Sequence, residues 1–231
     1  MLKRIFGSLR PERPLQTLSS LAAYEQWAAI YPPHAHNALM LAEEGAMKSL
    51  ILNLDGQIVL DLACGTGRYG LLAQELGARK VIGIDNSLPM LRENRLPHRI
   101  LSSSEQIPLL DRSVDVILCG LALGHLAHLL PSIREMARVL NSGGWALVSD
   151  FHPFIFLNGQ KRTFTGSDGR TFAVEHYAHL YSDYHREVAA SGLVIDAVVE
   201  PRLGYDSVVR FADTETENGT PVIIALRLRK P

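Results

Sequence analysis

The chain has 231 residues, 47% of them hydrophobic and 20% charged, with a formal net charge of -1. That length supports a full core in a single domain, and the balanced charge leaves no electrostatic footprint for nucleic acid. Two cysteines exclude a disulfide framework, and reduced thiols at expected strand ends point to a cytoplasmic protein.

Residues 1 to 14, with Lys3, Arg4, Arg10 and Arg13 against Glu12, read as a solvated arm that lacks the apolar segment of a secretion signal. A helix is expected from Leu18 to Ile30, ended by Pro32-Pro33. A second is expected from Asn37 to Leu52, with Leu39, Met40, Leu41, Met47, Leu50 and Ile51 on its apolar face. Ile58 to Leu62 is an apolar run broken by Asp61, the pattern of a buried parallel strand. Gly65 and Gly67 then allow a tight turn, and Tyr69 to Leu76 has helical spacing with Gly77 as its stop. Strand, glycine turn and helix together make a nucleotide-binding βα unit, with the ligand at the strand's carboxyl end.

The glycines alone leave the ligand open. Gly65, Gly67 and Gly70 satisfy G-x-G-x-x-G, a spacing shared with dinucleotide-binding dehydrogenases. Asp61 argues the other way, because a carboxylate there repels a pyrophosphate and suits a cationic amino group. The stretch Asp61-Leu-Ala-Cys-Gly-Thr-Gly-Arg68 resembles motif I of the class I S-adenosylmethionine-dependent methyltransferases. That resemblance implies an α/β, Rossmann-like three-layer sandwich around a mostly parallel seven-stranded sheet with one antiparallel strand near the edge.

Further along, Lys80 to Asp85 reads as the next strand, and Asp85 at its end suits both hydroxyls of a ribose. Ser87 before Pro89 fits a helix cap. The family places its ribose acid at the position of Asp85. Ile100 to Cys119 resembles the family's D-A-E-x-L-P-F block, except that Ser103 replaces the usual adenine-contacting acid, which shifts that role to Ser104 and Glu105. Tyr24 to Tyr31 resembles an N-terminal segment that lies over the cofactor in small-molecule methyltransferases, with a plain core role for Tyr24 and Trp27 as the alternative. S-adenosyl-L-methionine contacts are thus implied at Tyr31, Asp61, Ala63, Gly65, Gly67, Asp85, Asn86, Ser103, Ser104, Glu105 and Cys119.

Ser132 to Asn141 is expected to be helical, Asn141 to Gly144 a turn, and Trp145 to Asp150 a strand. Phe151 to Leu180 is an insertion containing a hairpin that turns at Ser167-Asp-Gly. Asp183 to Ala190 follows as a helix, then Leu193 to Val199 and Pro221 to Leu228 as strands. Their helix-free link, through a polar loop at Asp213 to Gly219, favours antiparallel pairing. The organisation expected is one domain over 1–231, with arm and lid helices over 1–52 and a substrate cap over 151–180.

Methyl transfer from a sulfonium is an in-line displacement on an activated donor, so positioning supplies much of the acceleration. A base is needed only where the acceptor must lose a proton. Candidates after the expected strands are His125 and His152, with His176 and Tyr177 from the insertion; for each histidine the alternative is an ordinary surface or core residue. His176 and His179 have helical ligand spacing, but only Glu175 and Asp183 stand near them, and no metal site is expected. Lys161, Arg162 and Arg170 would hold an anionic group: a carboxylate, a phosphopantetheine or an acidic carrier protein. The lid segment, the form of motif I and the basic insertion also resemble the malonyl-acyl-carrier-protein O-methyltransferases.

These readings converge on S-adenosylmethionine-dependent methylation of a small molecule or a carrier-tethered acyl group, at a carboxylate or hydroxyl oxygen. The alternatives are a quinone or phenol methyltransferase, a nicotinamide dehydrogenase, and a protein that binds S-adenosylmethionine without transferring methyl. The expected state is a monomer or homodimer without nucleic-acid or membrane partners.

Overall fold

The computed structural model describes residues 15–202, 210–211, 214–215 and 219–231. The basic arm over 1–14 and most of the polar loop over 213–219 lie outside the described residues.

The elements in chain order are β1 (Thr17–Leu18), α1 (Ser20–Trp27), a 3-10 turn (Ala28–Ile30), α2 (Ala38–Leu50), β2 (Ile58–Leu62), α3 (Arg68–Glu75), β3 (Lys80–Asp85), α4 (Leu88–Glu93) and β4 (His98–Leu101). Then come β5 (Val114–Gly120), a 3-10 turn (Leu123–His125), α5 (Leu130–Val139), β6 (Leu140–Phe151), α6 (Pro153–Leu157), β7 (Thr163–Thr165) and β8 (Thr171–Val174). The chain closes with α7 (Tyr181–Ala190), β9 (Val194–Val199), the short pair β10 (Arg210–Phe211) and β11 (Thr214–Glu215), and β12 (Ile223–Arg229).

Seven strands form the central sheet in the order β4-β3-β2-β5-β6-β12-β9. The first five are parallel, and β12 runs antiparallel to both β6 and β9. The expected mostly parallel sheet with one reversed strand near the edge is therefore present. Its strands are near-continuous apolar runs because helices cover both faces. Leu60, Leu62, Ile117 and Val148 point to the α5 and α7 side, against Ile133, Met136, Tyr184 and Val188. Val59, Val116, Leu118 and Leu147 point to the other side, against Met47 and Leu50 of α2 and Tyr69 and Ala73 of α3. Each fully buried side chain of this kind contributes about 1.5–3 kcal/mol, so the two layers hold the sheet rigid under the site.

Two differences from the sequence reading have local causes. The expected turn at 141–144 continues β6 from Leu140, because Gly143 at φ +77 sends its N–H to the Lys230 carbonyl while Gly144 accepts from Lys230. The insertion is also less separate than expected. Its hairpin, β7 and β8, forms a three-stranded sheet with β1, which pairs parallel to β8. Trp27 stacks on Phe164 at 5.2 Å between centroids, so the N-terminal helix and the hairpin pack as one unit.

Candidate functional site

The order of strands reverses between β2 and β5, which opens a crevice at the carboxyl ends of β2, β3 and β5. A cavity of about 1010 Å³, including its open mouth, lies there. Asp61, Ala63, Gly65 and Thr66 line it from β2 and its turn, Asp85 and Asn86 from β3, and Cys119 to Leu123 from β5.

The turn after β2 is held by side chains rather than by its own backbone alone. Asn94, buried at the end of α4, donates from Nδ2 to the Gly65 carbonyl at 2.9 Å, and its Oδ1 accepts from Leu96 N. Gly67 caps α3 at φ +95, and a Cβ there would stand 2.7 Å from Asn94 Oδ1, so both the angle and the space demand glycine. The remaining strain falls on Ala63 (φ +54) and Leu121 (φ +57), non-glycine residues in the left-handed region at the ends of β2 and β5.

Asp61 is 2% exposed, and its Oδ2 accepts the Gly70 N–H at 2.7 Å. Burial pushes its pKa up to about 7, against the pull of that N–H and of Arg68. Arg68 lines the same cavity, pairs with Glu43 at 2.7 Å, and keeps a buried Nη1 without a hydrogen-bond partner. Glu43, fully buried on α2, also accepts from Tyr69 Oη and Ser149 Oγ. Asp85 accepts backbone N–H groups of Gly65 and Ser87, each at 2.8 Å, which locks its carboxylate at the cavity wall; burial raises its pKa.

These residues fit a zwitterionic amino acid joined to a nucleoside. Asp61 would suit an ammonium, Arg68 in the cavity lining would suit a carboxylate, and Asp85 would suit ribose hydroxyls. Met90, Ile84, Ser102 and Ser104 line the part of the wall beyond Asp85.

Tyr24 of α1, His125 of the turn after β5 and Arg162 of the segment before β7 line the same cavity. His125 Nδ1 lies 2.9 Å from the Glu175 carbonyl, which fixes the proton on Nδ1 and leaves Nε2 to accept the Tyr24 hydroxyl at 3.2 Å. The Tyr24 oxygen accepts in turn from Arg162 Nη2 at 2.5 Å. Burial, with Arg162 nearby, holds the His125 pKa well below the ordinary imidazole range, so the ring is neutral at pH 7.

Of the residues named from sequence, Tyr31, Asp61, Ala63, Gly65, Asp85, Asn86, Ser104, Cys119 and His125 line the cavity. Gly67, Ser103 and Glu105 do not: Gly67 shapes the turn from behind, and the Ser103 hydroxyl accepts from the Glu105 N–H in an exposed local turn. The structure also does not bring His152, His176 or Tyr177 into the cavity lining. His152 caps α6 through Nδ1 and meets Glu200 through Nε2 at 3.2 Å, so both its nitrogens are engaged. His176 is buried behind His125, 3.8 Å from Asp150, and Tyr177 donates to Glu175 at 2.9 Å. His176 and His179 lie outside any helix, and no group of three or more His, Cys, Asp or Glu that could hold a metal occurs among the described residues. No helix among the described residues is long and apolar enough to cross a membrane. Sequence reasoning passed over Arg68 and Met90 as cavity residues, since an arginine and a methionine inside helical patterns carry no distinguishing spacing.

Sheet order, glycine turn and acidic strand ends define the class I S-adenosylmethionine-dependent methyltransferase fold. Residues 60–148 match the family model described as a methyltransferase domain, and the chain spans about half the length of the curated relatives it matches. An S-adenosylmethionine-dependent methyltransferase from Mesorhizobium loti superposes with a TM-score of 0.65 at 20% identity, over 82% of this chain and 98% of that one. The [4+2]-cyclase SpnF superposes with a TM-score of 0.60 at 16% identity, over 94% of this chain and 98% of its own. A malonyl-[acyl-carrier protein] O-methyltransferase from Marinomonas sp. is 34% identical over 114 residues, which span 46% of this chain and 42% of that relative.

Proposed function

We infer that the chain transfers a methyl group to an oxygen of a small-molecule or carrier-tethered acyl acceptor. The observation that carries this reading is one cleft lined by two sets of groups. Asp61 and Asp85 suit the cofactor, and the directed chain Arg162–Tyr24–His125 lines the same cavity. Bound S-adenosylmethionine would supply an electrophilic methyl carbon, held with its amino acid end at Asp61 and Arg68 and its ribose at Asp85.

The protein's own part is to fix the acceptor and manage a proton. Neutral His125 can take a proton at Nε2, but the Tyr24 hydroxyl already donates there. An acceptor hydroxyl therefore reaches the base by displacing the Tyr24 O–H, or passes its proton to the Tyr24 oxygen while Tyr24 gives its own to His125. An acceptor that is already a carboxylate needs neither step. Tyr24 sits on α1, so this half of the site is complete only with the N-terminal segment docked.

The partial likeness to a malonyl-carrier methyltransferase makes a malonyl carrier protein the first acceptor to try. The decisive experiment is transfer of labelled methyl from S-adenosylmethionine to a malonyl carrier protein, beside free organic acids, phenols and quinols. Label in an ester supports O-methylation of an acid, and label in a phenol or quinol product favours the alternative acceptor class. Tight S-adenosylhomocysteine binding with no transfer to any of them would overturn the catalytic reading.

A further inference from the structure

Arg162 comes from the insertion and lines the cleft, and the residue is only 7% exposed. A guanidinium removed from water is costly unless a counter-charge meets it. Among the described residues none does. Nη1 donates to the Leu121 carbonyl at 3.0 Å, Nη2 donates to Tyr24 at 2.5 Å, and the Phe151 ring lies 4.7 Å beneath the group. The surrounding acids are engaged elsewhere. Asp150 accepts the backbone N–H groups of Gly124 and Phe151 and lies 3.8 Å from His176, while Glu43 pairs with Arg68. The other groups around it, Tyr24, Tyr31, His125 and His176, carry no negative charge at neutral pH.

Two of the five N–H donors of Arg162 are thus used, both on neutral oxygens. The remaining donors keep the planar fork that matches a carboxylate. Beside it, Leu121, Ala122, Leu123 and Leu126 give the cavity an apolar floor.

We propose that Arg162 is the receptor for a carboxylate of the methyl acceptor, so that the substrates of this enzyme are organic acids with an apolar body along Leu121 to Leu126. The assignment rests on the methyl-transfer reading of the cleft and narrows its acceptor to acids. The carboxylate replaces the missing counter-charge of Arg162, whereas a neutral isostere leaves the buried cation uncompensated and is rejected.

The test uses the full chain saturated with S-adenosylhomocysteine, titrated calorimetrically at constant ionic strength with benzoate and hexanoate and with benzamide and hexanamide. The acids should bind at least tenfold tighter than their amides. R162Q should reduce that preference to within twofold while changing S-adenosylhomocysteine affinity less than threefold, and R162K should keep part of it. Because a guanidinium does not titrate below pH 12, the wild-type preference should persist from pH 6 to pH 9. If R162Q does not fold, R162K and this pH profile carry the test. No acid preference in the wild type, binding of none of the four probes, survival of the preference in R162Q, or its loss above pH 7 would each overturn the proposal. A tenfold loss of S-adenosylhomocysteine affinity in R162Q would give Arg162 to the cofactor instead, and overturn it too. Failure of the wild type to bind S-adenosylhomocysteine at all would instead strike at the methyl-transfer reading beneath it.

Discussion

Replacing Asp61 with asparagine removes a charge without removing a shape. The amide oxygen can still accept the Gly70 N–H, so the turn keeps its hydrogen bond while the cavity loses its anion. The carboxyl group titrates ordinarily near 3.8 and is raised by burial to about 7. A raised acid binds more protons folded than unfolded, so between pH 4 and pH 7 rising pH costs the cofactor-free protein stability. Ligand affinity runs the other way, because an ammonium selects the ionised carboxylate. With a pKa of about 7, about a tenth of Asp61 is ionised at pH 6 and about three quarters at pH 7.5, so S-adenosylhomocysteine should bind about eightfold tighter at the higher pH. Losing a charge-assisted hydrogen bond costs about 1.5–3 kcal/mol, or roughly 10- to 150-fold in affinity at pH 7.5. Calorimetric titration of wild type and Asp61→Asn at both pH values measures both effects. The substitution should weaken binding at pH 7.5 and abolish the pH slope. A flat wild-type profile, or a slope that survives in Asp61→Asn, would refute the assignment of Asp61 to the ammonium.

Asp85→Ala and Gly65→Val should each abolish S-adenosylhomocysteine binding by titration. The first removes the ribose acceptor and strands the N–H groups of Gly65 and Ser87; the second forces a branched side chain to φ +50. Glu43→Ala leaves the buried Arg68 without its counter-ion, and urea unfolding should show a loss of about 3–5 kcal/mol. His125→Ala should leave cofactor affinity within about threefold, because its contacts are to Tyr24 and the Glu175 carbonyl. If the acceptor is a hydroxyl, the same substitution should lower kcat by about 10²–10⁴-fold, and Tyr24→Phe should lower it while keeping the fold.

Legibility along the chain followed the range of the interaction concerned. The unit from Ile58 to Gly77 is local: apolar run, glycine turn and helix stop lie within twenty residues, and the structure forms them where the spacing put them. Asp85 was legible for the same reason, as the acid that ends an apolar strand. Asn94 was not, although it clamps Gly65, because an asparagine near a helix end looks like any other cap. The histidines show the limit from the other side. His125 and His152 each follow a strand, yet the 3-10 turn after β5 leads His125 along the cavity while α6 begins at Pro153 and takes His152 as its cap. That choice depends on how β6 and the hairpin pack, which the residues beside each histidine do not encode.

The same long-range packing explains why the Arg162–Tyr24–His125 chain forms from segments far apart in sequence. Tyr24 comes from α1, His125 from the turn after β5, Arg162 from the approach to β7 and the Glu175 carbonyl from the end of β8, and they meet because β1 pairs with β8. The hydrogen bonds among them lie outside the seven-stranded sheet, and Arg162 meets that sheet at Phe151, the last residue of β6. The left-handed residues Ala63 and Leu121 stand where the two systems join, one at each strand end that opens the crevice. On the proposed reading, cofactor recognition would belong to the sheet and its turns, and acceptor recognition to the N-terminal helix and the hairpin packed against them. On that reading, the Asp61 side would keep its ligand chemistry fixed while residues such as Arg162 set the acceptor.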